Sequence, residues 1–191
     1  MSKLLRSIGI MSVLFFIIGS ISLWKSIQPA RELNLNYSKV PWADRIESAI
    51  VNLGVMTLSE EDLTNLFKQY VVKSAKLQQL PITGAAVELH SESLVSHVNL
   101  KKGFLSVGIE TKASVTLEGD RLLITPYEYK LGKIPLSPET FSKLLLLFNT
   151  ELKTPFALDL RSYIPREIAI TYVELLPGNL RLGLVPKLFL R

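Results

Sequence analysis

The 191-residue chain contains no cysteine. That excludes a disulfide scaffold, a thiolate zinc site, an iron–sulfur cluster and a cysteine nucleophile. Histidine is nearly as scarce, and His90 and His97 alone are too few for a His-rich metal site. They stand seven residues apart on segments that read as extended, so one regular strand would turn them to opposite faces. Charge of one sign is also short. The net charge is +5, and with Lys3, Arg6 and Lys25 set aside, 19 basic residues face 17 acidic ones. No nucleic-acid partner is expected from that balance. A Gly-rich phosphate loop, a Gly-x-Ser-x-Gly elbow and a His-Glu-x-x-His pair are missing too. Glu88 and Glu92 flank His90, a grouping that reads as a solvated strand end or as a cation site. Ser is plentiful, and Asp44, Asp62, Asp120 and Asp159 are available, but no spacing points to a catalytic triad. The chain is therefore not read as an enzyme, and no catalytic residue, metal ligand or cofactor is assigned.

What is abundant is apolar surface. Hydrophobic residues make up 48% and charged residues 20%, which is incompatible with a mostly disordered chain. The N-terminal segment Ile8–Trp24 carries no charge over 17 positions. Counted from Leu4, with Arg6 reaching back toward the headgroups, it would span roughly 30 Å as a helix. Trp24 stands where an interfacial aromatic would stand. Two readings remain open for residues 1–25: an uncleaved membrane anchor or a cleaved signal peptide. Both put the rest outside the cytoplasmic membrane, the anchor leaving the N-terminus inside as a single-pass protein. Residues 26–40, polar and containing Pro29, read as a juxtamembrane linker. Residues 41–191 read as one extracytoplasmic domain.

Within that domain Asp44–Val55 reads as a short helix. Ser59 then caps a second helix, with Glu60, Glu61 and Asp62 in its first turn and Asp62 standing in for the capping-box Glu. Leu63, Leu66, Phe67, Tyr70, Val71 and Leu77 follow as one apolar stripe on a helix expected to end near Pro81. Beyond Pro81 the period becomes two. Leu94–Leu100 alternates, and Lys101-Lys102-Gly103 reads as a turn. Leu105, Val107, Ile109, Ala113, Val115 and Leu117 then point one way, with polar residues between them. A strand that long, about 45 Å, must curl to fit a small domain, and Gly108 reads as the bend point. Glu118-Gly119-Asp120 reads as a hairpin turn into a strand over Arg121–Lys130. Ser137 and Pro138 open another helix, expected to run to Phe148 through Leu144–Leu147 with two apolar faces. Arg166–Leu176 and Leu180–Leu190 read as closing strands, with Leu180, Leu182, Leu184, Leu188 and Leu190 on one face.

The order of these pieces resembles the YpmS-type family of membrane-anchored bacterial proteins of unknown function. The residues that carry the resemblance are Leu58–Leu66, Gly132–Pro138 before a Leu-rich helix, and Thr154-Pro155-Phe156 before the terminal strands. More distantly, helices wrapped by a long curved sheet are similar to tubular lipid-binding domains. That likeness implies a lipid ligand and supplies no catalytic residue. The expected fold class is α+β: an N-terminal transmembrane helix, then one domain whose long, curved antiparallel β-sheet packs against two helices. The expected function is binding of an apolar ligand, a lipid, in a groove between sheet and helices. The lining candidates are Leu66, Phe67, Tyr70, Val107, Ile109, Leu144, Leu145, Leu146, Leu147 and Phe148. The alternative is a structural or partner-binding module of a cell-envelope complex, with a filled core and no ligand cavity.

Overall fold

Nine strands lie among the described residues. The computed structural model describes residues 19–75, 77–146 and 156–190. Helix α1 (Trp42–Val51) leads into strand β1 (Val55–Ser59) and helix α2 (Glu60–Lys73). A meander follows: β2 (Ile82–Leu89), β3 (Leu94–Lys102), β4 (Leu105–Glu118), β5 (Arg121–Leu131) and β6 (Ile134–Leu136). Helix α3 (Pro138–Leu146) precedes β7 (Phe156–Asp159), β8 (Ile168–Leu176) and β9 (Asn179–Pro186).

The strands form two antiparallel sheets rather than one. The larger has the order β2-β3-β4-β5-β6, with β7 also paired to β5; the smaller has the order β1-β9-β8. The main core lies between them. Met56, Leu58, Leu180 and Leu182 of the small sheet meet Val87, Leu89, Leu94 and Leu122 of the large one. Helix α2 adds Leu63 and Leu66 to this cluster.

The ends of α2 follow from its sequence. The Asp62 N–H donates to Ser59 Oγ at 3.1 Å, and the Ser59 N–H donates to Asp62 Oδ2 at 2.9 Å. This reciprocal pair satisfies two N–H groups that the first turn would otherwise leave open. The helix stops at Lys73, well short of Pro81. Gln78 Nε2 donates to the Val72 carbonyl at 2.6 Å, taking up an acceptor that the last turn leaves free. Leu77 thus belongs to a separate 3-10 turn, Leu77–Gln79. Helix α3 opens as its sequence suggests: Ser137 Oγ accepts the Thr140 N–H at 3.1 Å, with Pro138 at the first helical position.

The expected transmembrane helix requires correction. Among the described residues no helix is long and apolar enough to cross a membrane. Of the segment expected to span, only its end is described: residues 19–27 are helical, and residues 1–18 lie outside the described residues. Nine residues rise about 14 Å, less than half a bilayer core. Trp24, expected as an interfacial anchor, instead stacks on Phe104 of the β3–β4 turn, ring centroids 5.6 Å apart.

Residues 26–36 cross the outer face of the large sheet as a strap. The Lys133 N–H donates to the Ser26 carbonyl at 2.7 Å, and the Ala85 N–H to the Asn34 carbonyl at 3.3 Å. Between these ties, Asn99 Nδ2 donates to the Arg31 carbonyl at 2.8 Å. The sheet makes room with glycine. Asn99 sits directly between Gly84 and Gly108, and the Gly132 N–H donates to the Gly108 carbonyl. A Cβ on Gly108 would lie 2.8 Å from Pro29 Cα, and one on Gly84 or Gly132 would meet strap backbone directly. Gly108 is therefore a site of close approach, not the bend point its place in a long strand suggested. The register shift lies in β5. Lys112 pairs with Glu128 and Ala113 with Pro126, leaving Tyr127 unpaired and exposed beside a proline that has no N–H to give.

Two further expectations differ. Strand β9 ends at Pro186, so Leu188 is exposed on a 3-10 turn instead of facing the core with Leu180 and Leu182. Strand β1 was not anticipated, because only Met56 and Leu58 carry its inward pattern.

Candidate functional site

The apolar stripe of α2 faces the inner surface of the large sheet, and α3 faces it from the other side. Between them lies a groove of about 690 Å³. Its floor is β3, β4 and β5. Val98, Ile109 and Ile124 supply branched apolar side chains there, with Ala113 between them. One wall is α2, through Leu63, Leu66, Phe67, Tyr70 and Val71, continued by Leu77. The opposite wall is α3, through Phe141, Leu144 and Leu145, joined by Phe156 and Leu158 of β7. Tyr70 and Phe156 meet edge to face with centroids 4.6 Å apart, linking the two walls.

The apolar interior is divided around this groove. Val71, Leu77 and Ala85 form one small cluster, and Tyr129, Phe141 and Leu145 form another, each separate from the main core. A domain of this size commonly packs one contiguous core with minor satellites. Here the groove occupies the gap that separates the satellites.

Electrostatics divide the two faces of the sheet. No Asp, Glu, Lys, Arg or His lines the groove among the described residues; its polar members are Ser74, Ser96, Thr111, Ser142, Tyr70 and Tyr129. Burial raises the Tyr129 phenol above its ordinary value, so it stays neutral and can donate. The outer face carries the charges. Lys130 pairs with Glu110 at 2.9 Å and Glu128 at 3.3 Å, and hydrogen bonds to both hold its ammonium above the ordinary lysine range. His97 lies 3.3 Å from Glu88, which also pairs with Arg31 of the strap at 2.8 Å. The grouping of Glu88, His90 and Glu92 is not drawn together: His90 and Glu92 are exposed at the β2–β3 turn. No cluster of three or more His, Cys, Asp or Glu suited to a metal occurs among the described residues. Asp62 is held by Ser59 and Arg45, and Asp120 and Asp159 by Arg161.

The structure places Leu66, Phe67, Tyr70, Ile109, Leu144 and Leu145 on the groove. Val107 lies one row nearer the β3–β4 hairpin, opposite Leu100 and outside the lining. Leu146 points away from the groove and is 53% exposed. Leu147 and Phe148 lie outside the described residues. Sequence reasoning missed the β2, β3, β5 and β7 contributions, Leu63, Val71, Leu77 and Phe141 on the walls and, on β4, Ala113 and Thr111. Parity carried the signal for Thr111, since it shares the face of Ile109 and Ala113; its hydroxyl kept it off a list of apolar positions.

No protein-family model, no curated protein and no solved structure matches this chain. The resemblance to the YpmS-type family thus rests on its short motifs alone.

Proposed function

We propose that this protein binds an apolar ligand, a lipid, in the groove between the large sheet and helices α2 and α3. One observation carries the reading: an open groove of about 690 Å³ with no charged side chain among its described lining. Small-molecule sites commonly measure about 300–1,000 Å³ and are mostly apolar. Water in such a groove finds few partners, so an acyl chain that displaces it gains about 25 cal/mol for each Å² of apolar surface removed from water. The mechanism is reversible binding without covalent chemistry. The groove is largely pre-formed by the sheet, and α2 and α3 supply its apolar walls.

Native mass spectrometry of the protein purified without detergent tests this reading, paired with uptake of Nile red, an uncharged apolar probe. Lipid mass on the purified chain, and uptake by the delipidated chain, are expected. Bare polypeptide mass together with no uptake contradicts it. A second reading, a module that binds a protein partner, is favoured by one cluster of observations. Ile50, Val51 and Leu53 are exposed at the end of α1, and Leu53 takes a φ of 55° that costs a leucine strain.

A further inference from the structure

We infer that the groove selects an uncharged amphiphile, a long-chain alcohol or ester, through a row of three hydroxyls across its floor. The inference rests on the apolar-ligand reading and narrows it. Ser96 pairs across strands with Thr111, and Thr111 pairs with Tyr129. All three line the groove. The row is bounded on one side by Val98 opposite Ile109, and on the other by Leu94 opposite Ala113. A polar band therefore crosses the floor of the trough between two apolar rows.

Position and charge together define what fits. Each hydroxyl can donate and accept, so the band matches a hydroxyl or an ester carbonyl on a chain lying in the trough. A carboxylate or phosphate at the same place would be desolvated with no cation in the described lining to meet it. The flanking charged rows, Glu110 with Lys130 and Lys112 with Glu128, are on the outer face of the same strands. A charged lipid would have to leave its head at the mouth and lay only methylenes against the three hydroxyls, which then lose water without gaining a partner. Tyr129 is the most fixed of the three. Its ring stacks on Phe141 with centroids 4.3 Å apart, and burial keeps its phenol protonated. The row is therefore pre-organised, and binding need not pay to order it.

The test uses the full chain at pH 7.5, with dodecan-1-ol, dodecanoate and dodecane delivered from cyclodextrin and read by displacement of Nile red. Dodecanol is expected to bind about tenfold more tightly than dodecanoate. Thr111→Val keeps the strand and the shape but removes the hydroxyl. It should lower the dodecanol-to-dodecane affinity ratio by about five- to tenfold. Ser96→Ala should lower the same ratio, and it serves as the test where Thr111→Val does not fold. Dodecanoate binding as tightly as dodecanol, or a ratio unmoved by the variants, overturns the inference while leaving the apolar-ligand reading standing. Failure of Nile red and dodecane to bind the parent chain at all brings down both.

Discussion

Asp62 shows how much one side chain can be asked to do. It is 5% exposed, it closes the capping box with Ser59, and its Oδ2 meets Arg45 of α1 at 2.7 Å. The charge is tolerated because an N–H and a guanidinium both face it. Asp62→Ala is expected to cost about 2 kcal/mol in urea unfolding, the sum of a lost cap and an unpaired arginine. Asp62→Asn, whose amide oxygen can still accept the Ser59 N–H, should cost about half as much. The cap was legible in the sequence because it is local: Ser59 and Asp62 are three residues apart. The Arg45 contact was not, because it depends on how α1 folds back. Tyr129 and Lys130 tie stability to alkaline pH. Burial raises Tyr129 from 10.0, and hydrogen bonds to Glu110 and Glu128 raise Lys130 from 10.5. Both groups hold their protons more tightly folded than unfolded. Their stabilising contribution is therefore complete below about pH 10 and is lost as pH rises through the raised values. Melting temperatures from pH 9 to 12 should fall less steeply in Tyr129→Phe and in Lys130→Met than in the parent.

Among the elements, the strap and α3 are where local pattern and tertiary role diverge. Residues 26–36 look like a linker because they are polar, yet they lie over Gly84, Gly108 and Gly132. Nothing local marks a glycine as a landing site for a segment far away in sequence. Gly108→Ala should force Pro29 away and cost about 1–3 kcal/mol as overpacking does. The distinguishing measurement is hydrogen exchange. Exchange at the Lys133 and Ala85 amides, which are bonded to the strap, should accelerate, while the β8–β9 ladder should not change. Helix α3 separates folding from binding. Leu145 is buried against Tyr129 and Phe141, whereas Leu144 is half-exposed on the groove. Leu145→Gln should cost a few kcal/mol in a thermal melt, because its amide is buried without partners. Leu144→Gln should melt near the parent but lose about ten- to a hundredfold in affinity for dodecan-1-ol. Strand β1 illustrates the opposite limit. Its five residues pair with β9 more than a hundred positions away, Met56 with Leu182, and no local period could announce that.

At the scale of the whole molecule, two sheets share one core on one side of α2, and among the described residues the rest of the large sheet's inner face lines the groove. The period-two pattern of β4 made the antiparallel sheet legible. It could not show that β1, β8 and β9 separate into a second sheet, nor that the described residues leave a gap between α2 and α3. Those outcomes depend on which strands find each other and on the volumes that meet, not on any one segment. The central claim is that the gap is a ligand site. The most direct measurement is a titration of the full chain with dodecan-1-ol, followed through the methyl resonances of Leu, Val and Ile. Shifts that saturate at Leu66, Val98, Ile109, Ile124 and Leu145, with Leu58, Leu180 and Leu182 unmoved, are what a ligand in the groove produces. No saturating shift, or shifts confined to exposed Leu53 and Leu188, would contradict it.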